Sequence, residues 1–283
     1  MKKIDIPIIK NNDDGLKQSI TINETSNKSI FDIVPISVLY DKYNNAEPFT
    51  KEDLISLYDI YNVIHDIEDV DYEQEVKKRS IILNKRNRKI DMAQIFDCDI
   101  SEIADNVNFL LIHPERYIVL LDSLAINYNS PVFNSLKYIT GSLRIKQPFA
   151  TCDKLPELES IKHDLFSDNY IDNGGIALPK LRSVGRDVNL GELIRIHNLS
   201  SLEIIGGNAR FYNLRSADCF NNLKYIYGNA HFDNLIDTSG LSNLKYIGGA
   251  YYFTWLSQND KEKVRRLVKE SNNEKNKYSN KWE

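Results

Sequence analysis

The chain repeats one arrangement of apolar and polar positions six times between residues 133 and 253. Each copy centres on a leucine, with one apolar residue three positions before it and another three positions after it. The anchor leucines are Leu136, Leu158, Leu181, Leu202, Leu223 and Leu244, at successive intervals of 22, 23, 21, 21 and 21 residues. A nearly fixed interval in this range predicts a solenoid, in which each coil buries its apolar side against its neighbours.

Each copy predicts a turn followed by a strand. The fifth position after the anchor is glycine in four copies, at Gly141, Gly207, Gly228 and Gly249. A sharp turn there needs either a positive φ or the absence of a side chain. Apolar residues then occupy positions seven and nine, except for Ser167 at position nine of the second copy, and this is the period of a half-buried strand. We therefore expect one short strand per coil, in a parallel sheet with about 4.8 Å between coils. The second and third copies carry His163 and Arg186 at the glycine position, and a looser loop is expected at residues 168–175.

The repeats carry a family resemblance. Two copies read LSSLEIIGG from Leu199 and FNNLKYIYG from Phe220. The pattern F-x-x-L-x-x-I-x-G-x-x-x-[IF] resembles the leucine-rich-repeat superfamily, most closely the receptor L-domain type found in insulin and epidermal growth factor receptors and in many bacterial repeat proteins. The resemblance covers about the second half of the chain. It implies a right-handed coil with a parallel sheet on one face, used for binding rather than catalysis. Receptor L domains are extracellular and braced by disulfides, whereas no repeat here has a paired cysteine.

The predicted strands have an outward row. The eighth position after each anchor lies between two inward positions and should face solvent. In chain order this row holds Arg144, Phe166, Asn189, Arg210, His231 and Tyr252, with Lys146, Tyr212, Asp233 and Thr254 beside it. Arginine and aromatic residues on a rigid face supply interface anchors, so we predict that this face binds a partner. An ordinary solvated sheet face is the alternative. Asn208 and Asn229, next to the row, predict an amide ladder between coils rather than a ligand site.

The fold class predicted for the whole chain is α+β. The expected domains are a mixed hairpin and helical domain at residues 1–115, the L-domain-like solenoid at 116–256, and a capping helix with a disordered tail at 257–283. Residues 4–22 predict a β-hairpin, because a turn-rich segment separates two β-prone runs. Thr50, with Asp53 three positions on, predicts a capping box and a helix. Residues 99–112 and 114–121 predict two more helices that cover the open end of the first coil. Residues 123–128 suggest an incomplete coil, and Ser257 with Asp260 predicts the C-terminal helix.

The first 115 residues form the acidic end of the chain, with 14 Lys and Arg against 22 Asp and Glu, a net charge of −8. An acidic run comprises Asp66, Glu68, Asp69, Asp71, Glu73 and Glu75, and a basic run comprises Lys77, Lys78, Arg79, Lys85, Arg86, Arg88 and Lys89. Part of this segment predicts a helix with its acids toward the start and its bases toward the end. The basic run could contact phosphates, but without interleaved aromatics a solvated helix face is favoured. The acidic run could imitate a nucleic-acid backbone in a partner's basic groove.

No recognised catalytic pattern is present. The five histidines lack metal-ligand spacing, and no G-x-S-x-G, Walker or G-x-G-x-x-G motif introduces a helix. We therefore predict no metal, no cofactor and no catalytic residue, with a Cys98 nucleophile and a distant histidine as the disfavoured exception. Three cysteines in no close pair favour a reducing compartment. No apolar segment resembles a signal peptide or a membrane span. The expected location is the cytoplasm of the producing or infected cell, and non-classical secretion stays open.

These observations predict a non-catalytic binding protein that recognises a protein or ribonucleoprotein partner through a rigid repeat surface. Direct contact with nucleic acid is less favoured, and the oligomeric state is left open. A composition rich in Asn, Lys and Ile suggests a bacterial or bacteriophage source. The expected role is an inhibitor or effector that sequesters a host defence protein such as a nucleic-acid-guided nuclease. The alternatives are an enzyme with its site in residues 1–130 and the solenoid as a targeting module, and a surface adhesion or structural repeat protein.

Overall fold

The computed structural model describes residues 34–60, 72–146, 154–168, 176–266 and 268. All of them belong to one compact unit, Ile33–Glu283. The predicted hairpin at residues 4–22 lies outside the described residues, and the domain boundaries after 115 and 256 stay predictions. The helices are α1 (Ile36–Asn44), α2 (Lys51–Tyr58), α3 (Tyr72–Leu83), α4 (Arg88–Phe96) and α5 (Val107–Ile112).

The predicted capping box of α2 is confirmed. The backbone N–H of Asp53 donates to Thr50 Oγ1 at 3.2 Å, and the N–H of Thr50 donates to Asp53 Oδ2 at 2.8 Å. The helix ends where Asp59 takes a left-handed conformation, with φ 49°. In α3, Glu73 and Glu75 lie in the first turn, where their negative charges interact favourably with the helix dipole. The last turn of α3 has no base, so the predicted basic end of that helix is wrong.

Strands of two sheets precede the first complete copy of the repeat, and one of them, Leu124–Ile126, lies in the incomplete coil predicted at residues 123–128. These strands are β1 (Ile103–Ala104), β2 (Val119–Leu120) and β3 (Leu124–Ile126). The helix predicted at residues 114–121 is therefore wrong, because Val119 and Leu120 pair with Tyr138 and Ile139 of the next coil. The helix predicted at residues 99–112 is also only partly correct. A 3₁₀ turn at Ile100–Glu102 leads into β1, and the helical part is confined to α5.

Each complete coil contributes two short strands, so the prediction of one strand per coil is wrong. The first strand occupies positions two and three after the anchor leucine, and the second begins at position seven. The first set is β4 (Tyr138–Ile139), β6 (Ser160–Ile161), β9 (Ser183–Val184), β12 (Ile204–Ile205), β14 (Tyr225–Ile226) and β16 (Tyr246–Ile247). The second set is β5 (Leu143–Ile145), β7 (Leu165–Ser167), β10 (Val188–Asn189), β13 (Ala209–Arg210), β15 (Ala230–His231) and β17 (Tyr251–Tyr252).

These strands form two parallel sheets along the solenoid. Sheet 1 has the order β1-β2-β4-β6-β9-β12-β14-β16, and sheet 2 has the order β3-β5-β7-β10-β13-β15-β17. Strands β8 (Ile176–Ala177) and β11 (Ile196–Asn198) pair as a third, two-stranded sheet. The chain is thus a parallel β-solenoid of about six turns combined with several helices.

The core lies between the sheets. All six anchor leucines are at most 1% exposed, as the repeat pattern predicts. In the last three coils, the rings of Phe211 and Phe232 stack with centroids 5.2 Å apart, and those of Phe232 and Phe253 are 5.5 Å apart. Because every coil packs on its neighbours, the apolar cluster continues from one coil to the next instead of closing within a coil.

The corner glycines are required for space rather than for a positive φ. None of the described glycines has a positive φ. A Cβ placed on Gly228 would lie 2.6 Å from the backbone carbon of Gly207 in the preceding coil. Coils stack so closely at this corner that a side chain would displace backbone atoms, and of the two expected reasons only the lack of bulk applies.

The N-terminal helices cover the outer face of sheet 1. Tyr138 and Ser160, at outward positions of this sheet, are 0% and 1% exposed. The ring of Phe96 in α4 stacks on Tyr138 at 5.2 Å, and Ser160 Oγ donates to the carbonyl of Ile60 at 3.1 Å. Helix α5 contacts β1, at the end of the solenoid where the sequence predicts a helical cover. The cover over the sheet face was not predicted.

The other end of the solenoid carries a second helical segment, at residues 258–266. Ser257 Oγ accepts a hydrogen bond from the N–H of Asp260 at 3.1 Å, which satisfies one free amide of the first turn. Val264 and Val268 are buried in the same apolar cluster as Phe253 of the last coil. Among the described residues, no helix has the length and apolar character needed to span a membrane.

Candidate interaction surface on sheet 2

The six residues predicted to face outward lie in one register row across sheet 2. Neighbouring strands place Arg144 opposite Phe166, Phe166 opposite Asn189, and Asn189 opposite Arg210. The row continues from Arg210 to His231 and from His231 to Tyr252. Its members are exposed or half-buried, whereas the residues on either side of them in each strand point into the core. Lys146 and Tyr212 lie beside the row and are exposed.

At one end of the row, Arg144 is held by two neighbours. Its Nε lies 2.6 Å from both carboxylate oxygens of Asp168. The guanidinium also lies over the ring of Phe166, 5.5 Å from the centroid. These contacts compensate the charge of Arg144 and fix its plane against the sheet.

Arg210 has a structural role that the sequence did not reveal. Its Nη1 donates a hydrogen bond to Asp187 Oδ2 at 2.7 Å, while Asp187 Oδ1 accepts a hydrogen bond from the backbone N–H of Asn208 at 2.8 Å. Burial alone would raise the pKa of Asp187, but the hydrogen bonds from Asn208 and Arg210 outweigh burial, and the pKa is lowered. Truncating Arg210 would therefore remove a partner of this carboxylate as well as a surface group.

The other end of the row is an aromatic cluster formed by Tyr212, His231 and Tyr252. The imidazole of His231 stacks on Tyr252 with centroids 4.5 Å apart and an interplanar angle of 12°, and it lies 5.1 Å from Tyr212. Tyr212 is 37% exposed and Tyr252 is 45% exposed. Such rings expose apolar edges and hydroxyl groups with few rotatable bonds, which suits them to binding. Trp255, just after this strand, is 69% exposed and extends the aromatic surface.

Beside the row runs a polar ladder at the sixth position of each coil. Its members are Ser123, Ser142, Asp164, Asp187, Asn208 and Asn229. Each side-chain oxygen accepts the backbone N–H of its counterpart in the next coil: Asn208 Oδ1 accepts from Asn229 at 2.9 Å, and Asn229 Oδ1 accepts from Ala250 at 2.8 Å. Asn208 and Asn229 thus link successive coils, but they do so by accepting backbone N–H groups and not by the predicted pairing of side-chain amides. The ladder ends at Ala250, which has no side-chain oxygen to continue it.

The structure describes part of the two charged runs, and it pairs two of the bases within the helical region. Asp66, Glu68, Asp69 and Asp71 lie outside the described residues, while Glu73 and Glu75 lie on α3. In the basic run, Arg86 donates to both oxygens of Asp91, at 2.7 and 2.6 Å, and covers the ring of Phe49. Lys89 pairs with Asp105 at 2.8 Å. Arg86 and Lys89 are therefore neutralised by carboxylates, whereas Lys77, Lys85 and Arg88 are exposed to solvent.

A cleft of about 460 Å³ lies where α2 meets the corner of the second and third coils. Its charged lining comprises Asp59, Lys162, His163, Asp164, Arg186 and Asp187. Lys162 Nζ donates to the carbonyl of Tyr58 at the end of α2. Burial lowers the pKa of Lys162 to about 8, and nearby Asp59 opposes this change. Burial and the charges of Arg186 and Lys162 also lower the pKa of His163. Three carboxylates and two cations therefore line the cleft, and Lys162 anchors α2 to the solenoid.

Cys98 is a poor candidate for a nucleophile. Burial raises the pKa of its thiol to about 11, assisted by the charges of Glu102 and Asp99. Burial likewise raises the pKa of Cys219 to about 12. Both thiols stay protonated near neutral pH, whereas the thiolate is the reactive form. Within the described ranges, no group of three or more His, Cys, Asp or Glu is placed to hold a metal ion.

Sequence reasoning missed the partners that organise this surface. Asp168 and Asp187 bind the two arginines of the row, and Trp255 enlarges the aromatic end. Asp187 occupies the sixth position of its coil, so comparison of that position across all the copies would have revealed the ladder.

Comparison of the chain with protein-family models, with curated proteins and with solved structures finds no match.

Proposed function

We propose that this chain is a non-catalytic binding protein whose recognition surface is the outer face of sheet 2. The observation that carries the proposal is the single register row from Arg144 to Tyr252, presented on six hydrogen-bonded strands. A row fixed by backbone pairing does not need to be ordered on binding, so little of the interaction energy is spent on ordering.

The charges on this face favour a protein partner over a nucleic acid. Asp168 and Asp187 neutralise the two arginines of the row, and Lys146 is an exposed cation beside it. Binding to a phosphate backbone depends on several uncompensated cations, which this face does not offer. The aromatic cluster instead supplies the residue types that anchor protein interfaces.

Two finer assignments complete the proposal. Membership of the leucine-rich-repeat superfamily, nearest to receptor L domains, is supported by the glycine corners of four coils, by the inward leucine of every coil, and by the inward isoleucine or valine three positions after it. An inhibitor or effector that sequesters a larger protein, such as a nucleic-acid-guided nuclease, would use a rigid surface of this kind. That role stays a prediction from the sequence, as does a cytoplasmic location.

The test removes the aromatic cluster and leaves the solenoid intact. Binders are selected from a display library of small folded domains against the immobilised wild-type chain, and their affinities are measured for the double variant Tyr212→Ala, Tyr252→Ala. The control is Tyr225→Ala with Tyr246→Ala, which removes two tyrosines from sheet 1. We expect affinity to fall about tenfold or more, which is about 1.4 kcal/mol, for the first variant only. Equal affinities for the two variants, or the absence of any specific binder, would contradict the proposal.

A further inference from the structure

The last coil leaves two backbone donors without a successor. In sheet 2, the N–H groups at positions seven and nine of each coil donate to carbonyls of the next coil. Ala230 N donates to the carbonyl of Ala250 and Phe232 N to that of Tyr252, both at 2.9 Å. Tyr251 and Phe253 hold the same two positions in the last coil, and β17 is the terminal strand of the sheet. Their N–H groups therefore point away from β15, toward the open edge.

The described residues do not cover this edge by hydrogen bonding. Neither Tyr251 N–H nor Phe253 N–H donates to any residue that the structure describes. The polar ladder also stops here, because Ala250 takes the place of the usual serine, aspartate or asparagine. Helical residues 258–266 bury Val264 against the apolar interior between the sheets. Among the described residues, the interior is thus closed while the edge of sheet 2 keeps two donors without an acceptor, which is a template for an added strand.

The surroundings of the edge favour an acidic occupant. Residues 241–266 carry five Lys and Arg against two Asp and Glu, a net charge of +3. Lys245, Lys263 and Arg265 of this set are exposed. A second copy of the chain would bring the same positive charge to the contact, so like-charge repulsion disfavours pairing of two such edges. A segment rich in Asp and Glu would gain from the same field.

We propose that β17 is a docking strand that takes an extended acidic segment of a partner protein as one further strand of sheet 2. Carbonyl groups of that segment accept the N–H groups of Tyr251 and Phe253, as the next coil would. A planar side chain of the segment stacks on the free side of Tyr252, continuing the contact between His231 and Tyr252. The proposal adds an edge site to the face proposed above, and it does not require the face to bind.

A matched pair of variants isolates the edge N–H. Tyr251→Pro removes the donor without removing a hydrogen bond of the free chain, and proline is tolerated on edge strands where the N–H faces outward. Tyr251→Ala removes the same side chain and keeps the donor. The probe is a display library of random linear peptides. We expect acidic peptides to be selected, to bind Tyr251→Ala within about twofold of wild type, and to lose about tenfold or more with Tyr251→Pro. Equal binding by both variants, or selection of no acidic peptide, overturns the proposal.

Amide hydrogen exchange of the wild-type chain gives a second readout that does not depend on the folding of a variant. The amides of Tyr251 and Phe253 should exchange rapidly in the free chain and about tenfold or more slowly with a selected peptide. Protection in the free chain at low concentration would show a covered edge and contradict the proposal. Protection that appears only with dimerisation would assign the edge to a second copy, which also contradicts it. The double variant Tyr212→Ala, Tyr252→Ala keeps both N–H donors. If the selected peptides lose affinity for this double variant but still bind Tyr251→Pro, recognition belongs to the outer face of sheet 2 and the proposal is overturned.

Discussion

Asp187 should be the most sensitive member of the polar ladder. Its carboxylate accepts the backbone N–H of Asn208 and the guanidinium of Arg210, while its own N–H donates to Asp164 Oδ1 at 3.1 Å. The residue therefore joins three successive coils. Asp187→Ala removes both acceptors and leaves the N–H of Asn208 without a protein partner, whereas Asp187→Asn retains one oxygen for it.

The expected cost follows from these contacts. A half-buried N–H deprived of its acceptor costs about 1–2 kcal/mol, and a partly exposed ion pair contributes about 0.5–1 kcal/mol. We expect Asp187→Ala to lower the free energy of unfolding by about 2–3 kcal/mol and Asp187→Asn to lower it by about 1 kcal/mol. Because the folded-state pKa of Asp187 is lowered, its ionic contribution is complete above the unfolded-state value of about 3.9. That contribution is lost as the pH falls through the folded-state pKa, and Asp187→Asn should lack this dependence.

Urea unfolding followed by circular dichroism measures these differences, provided that the slope with denaturant is unchanged. The control is Asn189→Ala, two positions along on β10, where the exposed side chain is outside the ladder. This control should change the free energy of unfolding by no more than about 0.5 kcal/mol. If Asp187→Ala is as stable as Asn189→Ala, the ladder does not hold the coils together and the reasoning fails.

Two further predictions concern the corner and the cleft. Gly228→Ala should lower the free energy of unfolding in urea by about 2 kcal/mol, because the added Cβ would meet backbone atoms of the preceding coil. Gly249→Ala should lower it less, because there the Cβ would meet the end of the Asn229 side chain, and equal losses would contradict the steric explanation. Since burial lowers the folded-state pKa of Lys162 to about 8, the unfolded chain binds more protons between that value and about 10.4, and stability rises with pH there. The free energy of unfolding of the wild type relative to Lys162→Met should therefore increase by about 1 kcal/mol from about pH 7 to about pH 9, and a constant difference would show that the amine is solvated.

The repeat pattern was sufficient to predict the coils, because burial imposes the same requirement on each of them. A leucine in the middle of a coil must face the interior whatever its neighbours are, so the six anchors could be recognised from their interval alone. The second strand of each coil was also predictable, since apolar residues at positions seven and nine have the period of a strand. The row on sheet 2 followed from the residue between them.

Sheet 1 could not be predicted in the same way. Its strands are two residues long, and two residues cannot show a period. The helical cover over this sheet left a weaker signal, in the identity of the outward residues. Ser160 and Ser183, which are buried, stand where the later coils have half-buried Tyr225 and Tyr246. Residue size alone does not identify the covered coils, since Tyr138 in the same column is 0% exposed beneath Phe96, and the column has this meaning only once it is known to face outward.

The ladder gives the solenoid a direction. Every member accepts a backbone N–H from the following coil, and the N–H groups at positions seven and nine are likewise satisfied by the following coil. A coil of this type is therefore completed by its successor, and in the described part of the chain the last coil ends with the N–H groups of Tyr251 and Phe253 unused. The replacement of asparagine by Ala250 fits this reading, since an acceptor at that position would have no N–H to receive. The apolar face of a helix can close the interior, whereas an extended segment can supply carbonyl groups to the N–H groups of Tyr251 and Phe253. For this reason the end of the chain's own repeats is also the place where a partner's segment can continue them.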